Sequence, residues 1–288
     1  MDSVSEAREE QARLWNGVAG CAWVEMQGLV DAAFRPLEGL LVEAIPAGAR
    51  VLDVGCGTGG TTIAAARRLG GAGSSAGIDI SEPMIAAARA RALREGIPAS
   101  FVRADAETYP FEAEEVDAII SRFGVMFFGN PVRAFANLRR AAREGATLRF
   151  IAWRSAEENP FMTTAERAAS PYLPDMPARE PDAPGQFAFA DRHRVERILA
   201  ESGWGGIDIR PIDVPCALPE THLERYITRF GPLGRVLPAV DEATRAKIVD
   251  VVRAAFEPYV HGAEVSFTAA CWLVDARATP APAEAARA

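Results

Sequence analysis

The stretch that decides the fold is Val51–Gly60, VLDVGCGTGG. An apolar, β-branched run ends in an aspartate and breaks into glycines, the pattern of a buried strand passing into a helix through a turn without side chains. Such a turn lets a ligand press against backbone N–H groups at the helix N-terminus. The glycines support two spellings. Gly55, Gly57 and Gly60 make G-x-G-x-x-G, the dinucleotide signature, whereas Asp53, Gly55, Gly57 and Gly59 make D-x-G-x-G-x-G.

Outward from this loop, SAGIDI (75–80), SFVRAD (100–105), VDAIISRF (116–123) and ATLRFIAWRS (146–155) read as further buried strands. Helical segments alternate with them at 60–70, from a cap at Ser81 to about residue 95, and at 130–145. A helix at 191–203, a strand at 206–214 and a last strand, EVSFTAACWLVDAR (264–277), resume the rhythm. The pattern predicts an α/β fold with a doubly wound, mostly parallel, seven-stranded sheet carrying helical cap and lid insertions.

The expected units are an N-terminal helical cap (1–44), a cofactor-binding core (45–155) and a proline-rich loop or lid (156–190). They continue with a helix and sixth strand (191–215), a helical insertion over the acceptor site (216–262), the last strand (263–277) and a disordered tail (278–288). In the cap, Trp23, Met26, Val30, Phe34, Leu37 and Leu41 form one apolar stripe that Pro36 should kink or split. The segment 170–186 holds five prolines and reads as a loop, and 219–258 reads as two inserted helices. No internal repeat is visible.

Composition narrows the function classes. The chain has 288 residues, 49% of them hydrophobic, with a net charge of −8, so general binding to a phosphate backbone is disfavoured. Cys21, Cys56, Cys216 and Cys271 lie far apart, which predicts reduced thiols with neither a disulfide framework nor a metal site. The polar, acidic start does not read as a signal peptide and no apolar run is long enough for a membrane span, so a cytoplasmic protein is expected.

Asp79, at the end of the second strand, suits the ribose of either cofactor class. Asp53 separates them: a carboxylate facing the loop repels a pyrophosphate but attracts the ammonium and sulfonium of S-adenosylmethionine. VLDVGCGTGG resembles motif I of the class I (Rossmann-like) S-adenosylmethionine-dependent methyltransferases. GIDISEPMI resembles their ribose-binding strand end, RADAETYPF their adenine-binding strand end, and VDAIISRFGVMFF their fourth strand with its following motif. The whole chain is similar to bacterial small-molecule methyltransferases of the ubiquinone/menaquinone C-methyltransferase-like group.

The resemblance implies roles for residues of this chain. Asp53, Gly55, Cys56, Gly57 and Gly59 would surround the methionine portion, and Asp79 would hold the ribose. Ile80 and Met84 would flank the adenine, with Asp105 and the Ala106 backbone on its edge. Ser121 and Arg122 would lie beneath the sulfonium, and Trp15 and Trp23 would close the cofactor side. The turn before the fifth strand, REGA, departs from the family's usual glycine pair.

The activity implied is methyl transfer from S-adenosylmethionine, giving S-adenosylhomocysteine, to oxygen or carbon of a small hydrophobic or aromatic molecule. A small amine is the alternative acceptor. A silent partner protein of the same fold and a nicotinamide-dependent oxidoreductase are the alternatives of other classes. A homodimer is compatible with this reading. No general base is assigned; His222, His261 and Tyr172 are the candidates, while His193 reads as a surface or capping residue and Tyr226 and Tyr259 as packing or pocket-lining. Phe123 and Met126 could touch the acceptor. ENPF (158–161) resembles an amino-methylation motif but stands at the wrong place in the chain, and Leu138–Arg140 reads as a solvated helix face.

Overall fold

The computed structural model describes residues 3–174, 176, 179–180 and 183–280. The N-terminal cap is four short helices, α1 (Ser3–Asn16), α2 (Val18–Glu25), α3 (Gln27–Ala33) and α4 (Arg35–Val42). The break before α4 falls at Phe34, two residues ahead of Pro36, because proline has no N–H for an interior helix turn but is tolerated in the first one. The expected stripe is the buried face: Met26, Val30, Leu37 and Leu41 are all buried. The C-terminal end of α1 is bolted to the core, where Ser81 Oγ donates to Trp15 O at 2.6 Å and Asn16 Oδ1 accepts from Glu82 N at 2.9 Å.

The core alternates β1 (Arg50–Val54), α5 (Gly60–Leu69), β2 (Ser74–Asp79), α6 (Glu82–Glu95), β3 (Ala99–Arg103), β4 (Val116–Arg122), α7 (Pro131–Ala141) and β5 (Ala142–Trp153). After α8 (Pro160–Ala169) and α9 (Arg192–Glu201) come β6 (Gly205–Pro219), α10 (Leu223–Arg229), α11 (Gly231–Val236), α12 (Glu242–Ala255), β7 (Val260–His261) and β8 (Glu264–Arg277). The strand order is β3-β2-β1-β4-β5-β8-β6, with the two-residue β7 pairing β8 as an eighth strand. Strands β1 to β5 are mutually parallel, and β8 runs antiparallel to both β5 and β6. The order reverses between β1 and β4, and ligands of open α/β sheets bind at the carboxyl ends of the strands flanking such a point.

Three local expectations need correction. The stretch 142–145 is strand rather than helix, since α7 ends at Ala141 and Ala142 pairs with Val116 ahead of a bulge. Arg143 reaches across to Asp117 at 2.9 Å and holds that early start. The insertion after β6 holds three helices, not two, because Gly231 and Pro232 start a new helix directly after α10. Of the tail, Ala278 is buried and its N–H donates to Ala146 O at 2.9 Å, while 281–288 lie outside the described residues. In the lid segment, Asp175, Pro177, Ala178, Pro181 and Asp182 also lie outside them.

The ENPF stretch has a structural task. Where β5 has ended, the side chain of Asn159 takes its place beside β8: Nδ2 donates to Ala270 O at 2.9 Å and Oδ1 accepts from Ala270 N at 3.0 Å. Asn159 is 1% exposed, so no water can replace it. Asn159→Ala is expected to lower stability by roughly 2–4 kcal/mol, read as a fall in the urea midpoint at unchanged m-value.

Candidate functional site

The glycine loop and the turn after β4 meet without side chains between them. Gly55 has φ +67°, and a Cβ there would lie 2.5 Å from Gly124 Cα. A Cβ on Gly124 would in turn lie 2.5 Å from Val54 O. Ser121 stitches the same junction, donating from Oγ to Val54 O at 2.7 Å and accepting from Gly124 N at 3.2 Å. Phe123 sits between them at φ +65°, a conformation costly for a residue with a side chain, and is held by its N–H bonding to Ile151 O at 3.0 Å. The strain turns its ring against Trp153, stacked at 4.4 Å and 5°.

Asp79 organises the loop. Its carboxylate accepts from Gly57 N at 2.8 Å and from Ser81 N at 2.9 Å, so one side chain ties the glycine turn to the start of α6. Burial raises its pKa, and the backbone donors of Ser81, Gly57 and Ile80 oppose the rise. Asp105 closes the next strand end; its Oδ1 accepts from Glu107 N at 2.9 Å and its Oδ2 from Arg8 Nε of α1 at 2.9 Å. Glu107 is buried, takes Asn130 N at 3.1 Å on Oε2, and leaves Oε1 without a hydrogen bond.

These groups open into a cavity of about 1360 Å³. Ten of the expected cofactor residues line it: Gly55, Gly57, Asp79, Ile80, Met84, Asp105, Ala106, Arg122, Trp15 and Trp23. The other end is walled by Phe34, Phe123, Trp153, Phe161, Tyr226 and Phe230. A chain of ring contacts joins the two ends, from Phe127 to Trp15 at 4.9 Å, Trp15 to Trp23 at 6.3 Å, Trp23 to Phe230 at 5.4 Å and Phe230 to Tyr226 at 5.5 Å. Among the described residues the Tyr226 hydroxyl finds the Met162 sulfur, at 3.6 Å, as its partner, and burial pushes its pKa well above that of an ordinary tyrosine.

Four expected contacts lie elsewhere. Asp53 is 1% exposed and turned from the cavity, its carboxylate accepting from Thr62 Oγ1 at 2.7 Å. Cys56 packs over Gly77, where a Cβ would meet its sulfur at 2.7 Å, and its thiol pKa is raised by burial. A Cβ on Gly59 would collide with the Phe101 ring at 2.9 Å, so that glycine serves helix–sheet packing. Ser121 is fully buried behind the strand ends. The candidate bases are also remote. His222 and His261 are exposed, and Tyr172 stands under Lys247 Nζ at 5.2 Å; none of the three lines the cavity. His193 lies at the start of α9, where its N–H donates to Asp191 Oδ1 at 2.9 Å.

Several residues of the site carry no local signal in the sequence. Arg8, Asp31 and Glu38 come from the cap helices, and Phe161, Met162, Tyr226 and Phe230 from α8 and the insertion. Phe123 and Met126 stand in the fourth-strand motif, and Phe161 ends ENPF, which stands at the wrong place in the chain for the motif it resembles. Among the described residues no group of His, Cys, Asp and Glu is arranged to hold a metal ion, and no helix is long and apolar enough to cross a membrane.

Comparison with known proteins agrees with this geometry. Residues 51–145 match the family model described as a methyltransferase domain. The aklanonic acid methyltransferase of a Streptomyces strain is 36% identical over 104 residues, 36% of this chain and 47% of that protein. The ubiquinone/menaquinone biosynthesis C-methyltransferase of Chromobacterium violaceum is 26% identical over 176 residues, 59% of this chain and 72% of that protein. A SAM-dependent methyltransferase structure from Aquifex aeolicus superposes with a TM-score of 0.50 at 17% identity, covering 97% of this chain and 100% of that one, and shows the shared Rossmann-like fold. The chain spans about half the length, 54%, of the mycobacterial relatives that match it at 34% identity.

Burial raises the Asp53 carboxyl from 3.8 to about 7; the Thr62 hydrogen bond and Arg122 lower it, while Asp79 and Glu38 add to the rise. The folded chain thus keeps this proton to a higher pH than the unfolded chain. Asp53 takes nothing from stability below pH 3.8, progressively more as pH rises, and its full penalty above about 7. Asp53→Asn, which keeps an oxygen for Thr62, is expected to gain on the wild type by on the order of 2–4 kcal/mol between the two ends of that window. Urea unfolding of both proteins across the window measures it.

Proposed function

We propose that this chain, whose residues 51–145 match a methyltransferase domain, transfers a methyl group from S-adenosylmethionine to oxygen or carbon of a small hydrophobic or aromatic molecule. The observation that carries the reading is a single cavity with a glycine-and-carboxylate end and an aromatic end, joined at Phe123 and Gly124. When bound, the cofactor supplies a methyl group already activated on a sulfonium. The residues present fit it: Asp79 and Asp105 offer acceptors at the two strand ends where ribose and adenine are read, and the Gly55–Gly57 turn leaves room for close backbone approach.

Charge at the glycine loop does not separate the two cofactor classes. With its carboxyl raised to about 7, Asp53 is no longer the charge that discriminates. Asp79 faces the cavity, and Asp31 and Glu38 stand over the first turn of α5, where a Cβ on Gly60 would lie 2.8 and 3.5 Å from their oxygens. Arg122 balances Asp31 and Glu38, Arg91 also pairs with Asp31, and Asp79 suits either ribose, so it is the match to a methyltransferase domain that favours S-adenosylmethionine over a nicotinamide cofactor.

The chain's own task is to hold the acceptor in line and keep water out. Orientation of this kind supplies up to ~7–11 kcal/mol in favourable cases. The aromatic walls exclude water, and Tyr226, whose pKa is raised by burial, stays protonated and serves as a hydrogen-bond donor to an acceptor oxygen. No histidine lines the cavity among the described residues, so the acceptors best suited are those that ionise readily themselves, such as phenols and enolised carbonyl compounds.

Three measurements test the reading. Isothermal titration is expected to give S-adenosylmethionine binding with no binding of NAD(P)H; the reverse result overturns the proposal. Asp79→Ala is expected to weaken S-adenosylmethionine roughly 30- to 150-fold, as loss of a charge-assisted hydrogen-bonding centre of about 2–3 kcal/mol requires. A methyl-transfer screen over phenols, quinols, polyketides and amines, read by mass, then identifies the acceptor, and turnover confined to amines would overturn the oxygen-or-carbon assignment.

A further inference from the structure

Arg122 leaves the end of β4 at the cavity floor with its side chain 11% exposed. Its Nη1 is buried and has no hydrogen-bond partner. Two carboxylates from the cap helices balance its charge without engaging its donors, Asp31 Oδ1 at 3.6 Å from Nη2 and Glu38 Oε2 at 3.9 Å from Nη1. Both distances exceed a hydrogen bond. Asp31 is itself occupied by Arg91 Nη1, at 2.5 Å on its other oxygen. A buried guanidinium nitrogen left unpaired beside a ligand cavity is costly unless the ligand supplies the acceptor.

We propose that Arg122 receives the carboxylate of the cofactor's amino-acid end. The assignment rests on the S-adenosylmethionine reading above and changes the role implied for Arg122 by family resemblance. A guanidinium directly beneath a sulfonium sets like charges together, whereas a planar fork facing a carboxylate is the arrangement arginine serves best. The place agrees as well. Arg122 is on the strand adjoining the glycine loop, on the side where α3 and α4 close over the start of α5, while adenine and ribose acceptors lie at the ends of β2 and β3. The motif I acid cannot contribute here, because Asp53 points into the protein toward Thr62. The loop therefore offers backbone amides, and Arg122 is the cation lining the cavity from the strand beside them.

Two adenosine thioethers separate this role from a general one: S-adenosylhomocysteine has the carboxylate and 5′-methylthioadenosine lacks the amino-acid end. Calorimetric titration of wild type and Arg122→Met with both is the test. The variant is expected to lose about 10- to 100-fold in affinity for S-adenosylhomocysteine. Its affinity for 5′-methylthioadenosine is expected to stay within about threefold. Arg122→Lys, which keeps the charge but loses the fork, is expected to fall between the two for S-adenosylhomocysteine. Equal loss for both ligands in either variant, or full retention of S-adenosylhomocysteine binding, would overturn the proposal while leaving the cofactor reading intact. Failure of the wild type to bind either ligand would overturn both.

Discussion

The contact on which the site depends is backbone against backbone: Gly55 on Gly124, two turns at the carboxyl ends of neighbouring parallel strands pressed together with no Cβ between them. At that separation any side chain would have to displace main chain, and main chain in a sheet cannot move alone. Closing this junction lets Ser121 bridge the two strands, forces Phe123 into a left-handed conformation, and brings the cofactor loop and the aromatic wall to a common edge. A little backbone strain is thereby exchanged for a fixed distance between the two ends of the cavity. The surrounding rings of Phe34 and Trp153, edge-on and stacked against Phe123, supply the packing that offsets the strain.

The core was legible in the sequence for a physical reason. Parallel strands buried on both faces read as unbroken apolar runs, and strand-to-helix turns that bind ligands need glycine and acid at fixed places. Asp79, Asp105, Gly55 and Gly57 could be read because their neighbours in sequence are also their neighbours in space. Asp53 shows the limit. Its position at the strand end was legible, but the direction of its side chain depends on Thr62, nine residues along on α5, and on the packing that buries both. The residues that reach the site from α1, α3, α8 and α10 carry no comparable mark, since amphipathic helices look alike whether the apolar face meets a core or a ligand. The helix breaks at Gly17 and Met26 carried no such mark, whereas Pro36 announced the one at Phe34.

Electrostatically the site is a set of buried carboxylates held by different means. Asp79 is satisfied by backbone amides, Asp53 by a hydroxyl and by keeping its proton, and Glu107 by one amide on a single oxygen. Asp105 pairs with the guanidinium of Arg8 on the first helix, which also stands 3.9 Å from Glu107. The cap is thus tied by Arg8 to the strand end where the adenine contact is proposed.

The insertion holding α10 to α12 leaves the sheet at Pro219 and returns at Glu264, and these two residues are register partners across β6 and β8. An excursion that begins and ends at one rung places almost no demand on its own length, because loop-closure entropy grows only slowly with the number of residues enclosed. The insertion's part of the aromatic wall can therefore be lengthened, shortened or replaced while every strand of the sheet keeps its register. Tyr226 and Phe230 can change with the insertion, whereas Phe123 and Trp153 stay fixed at the strand ends.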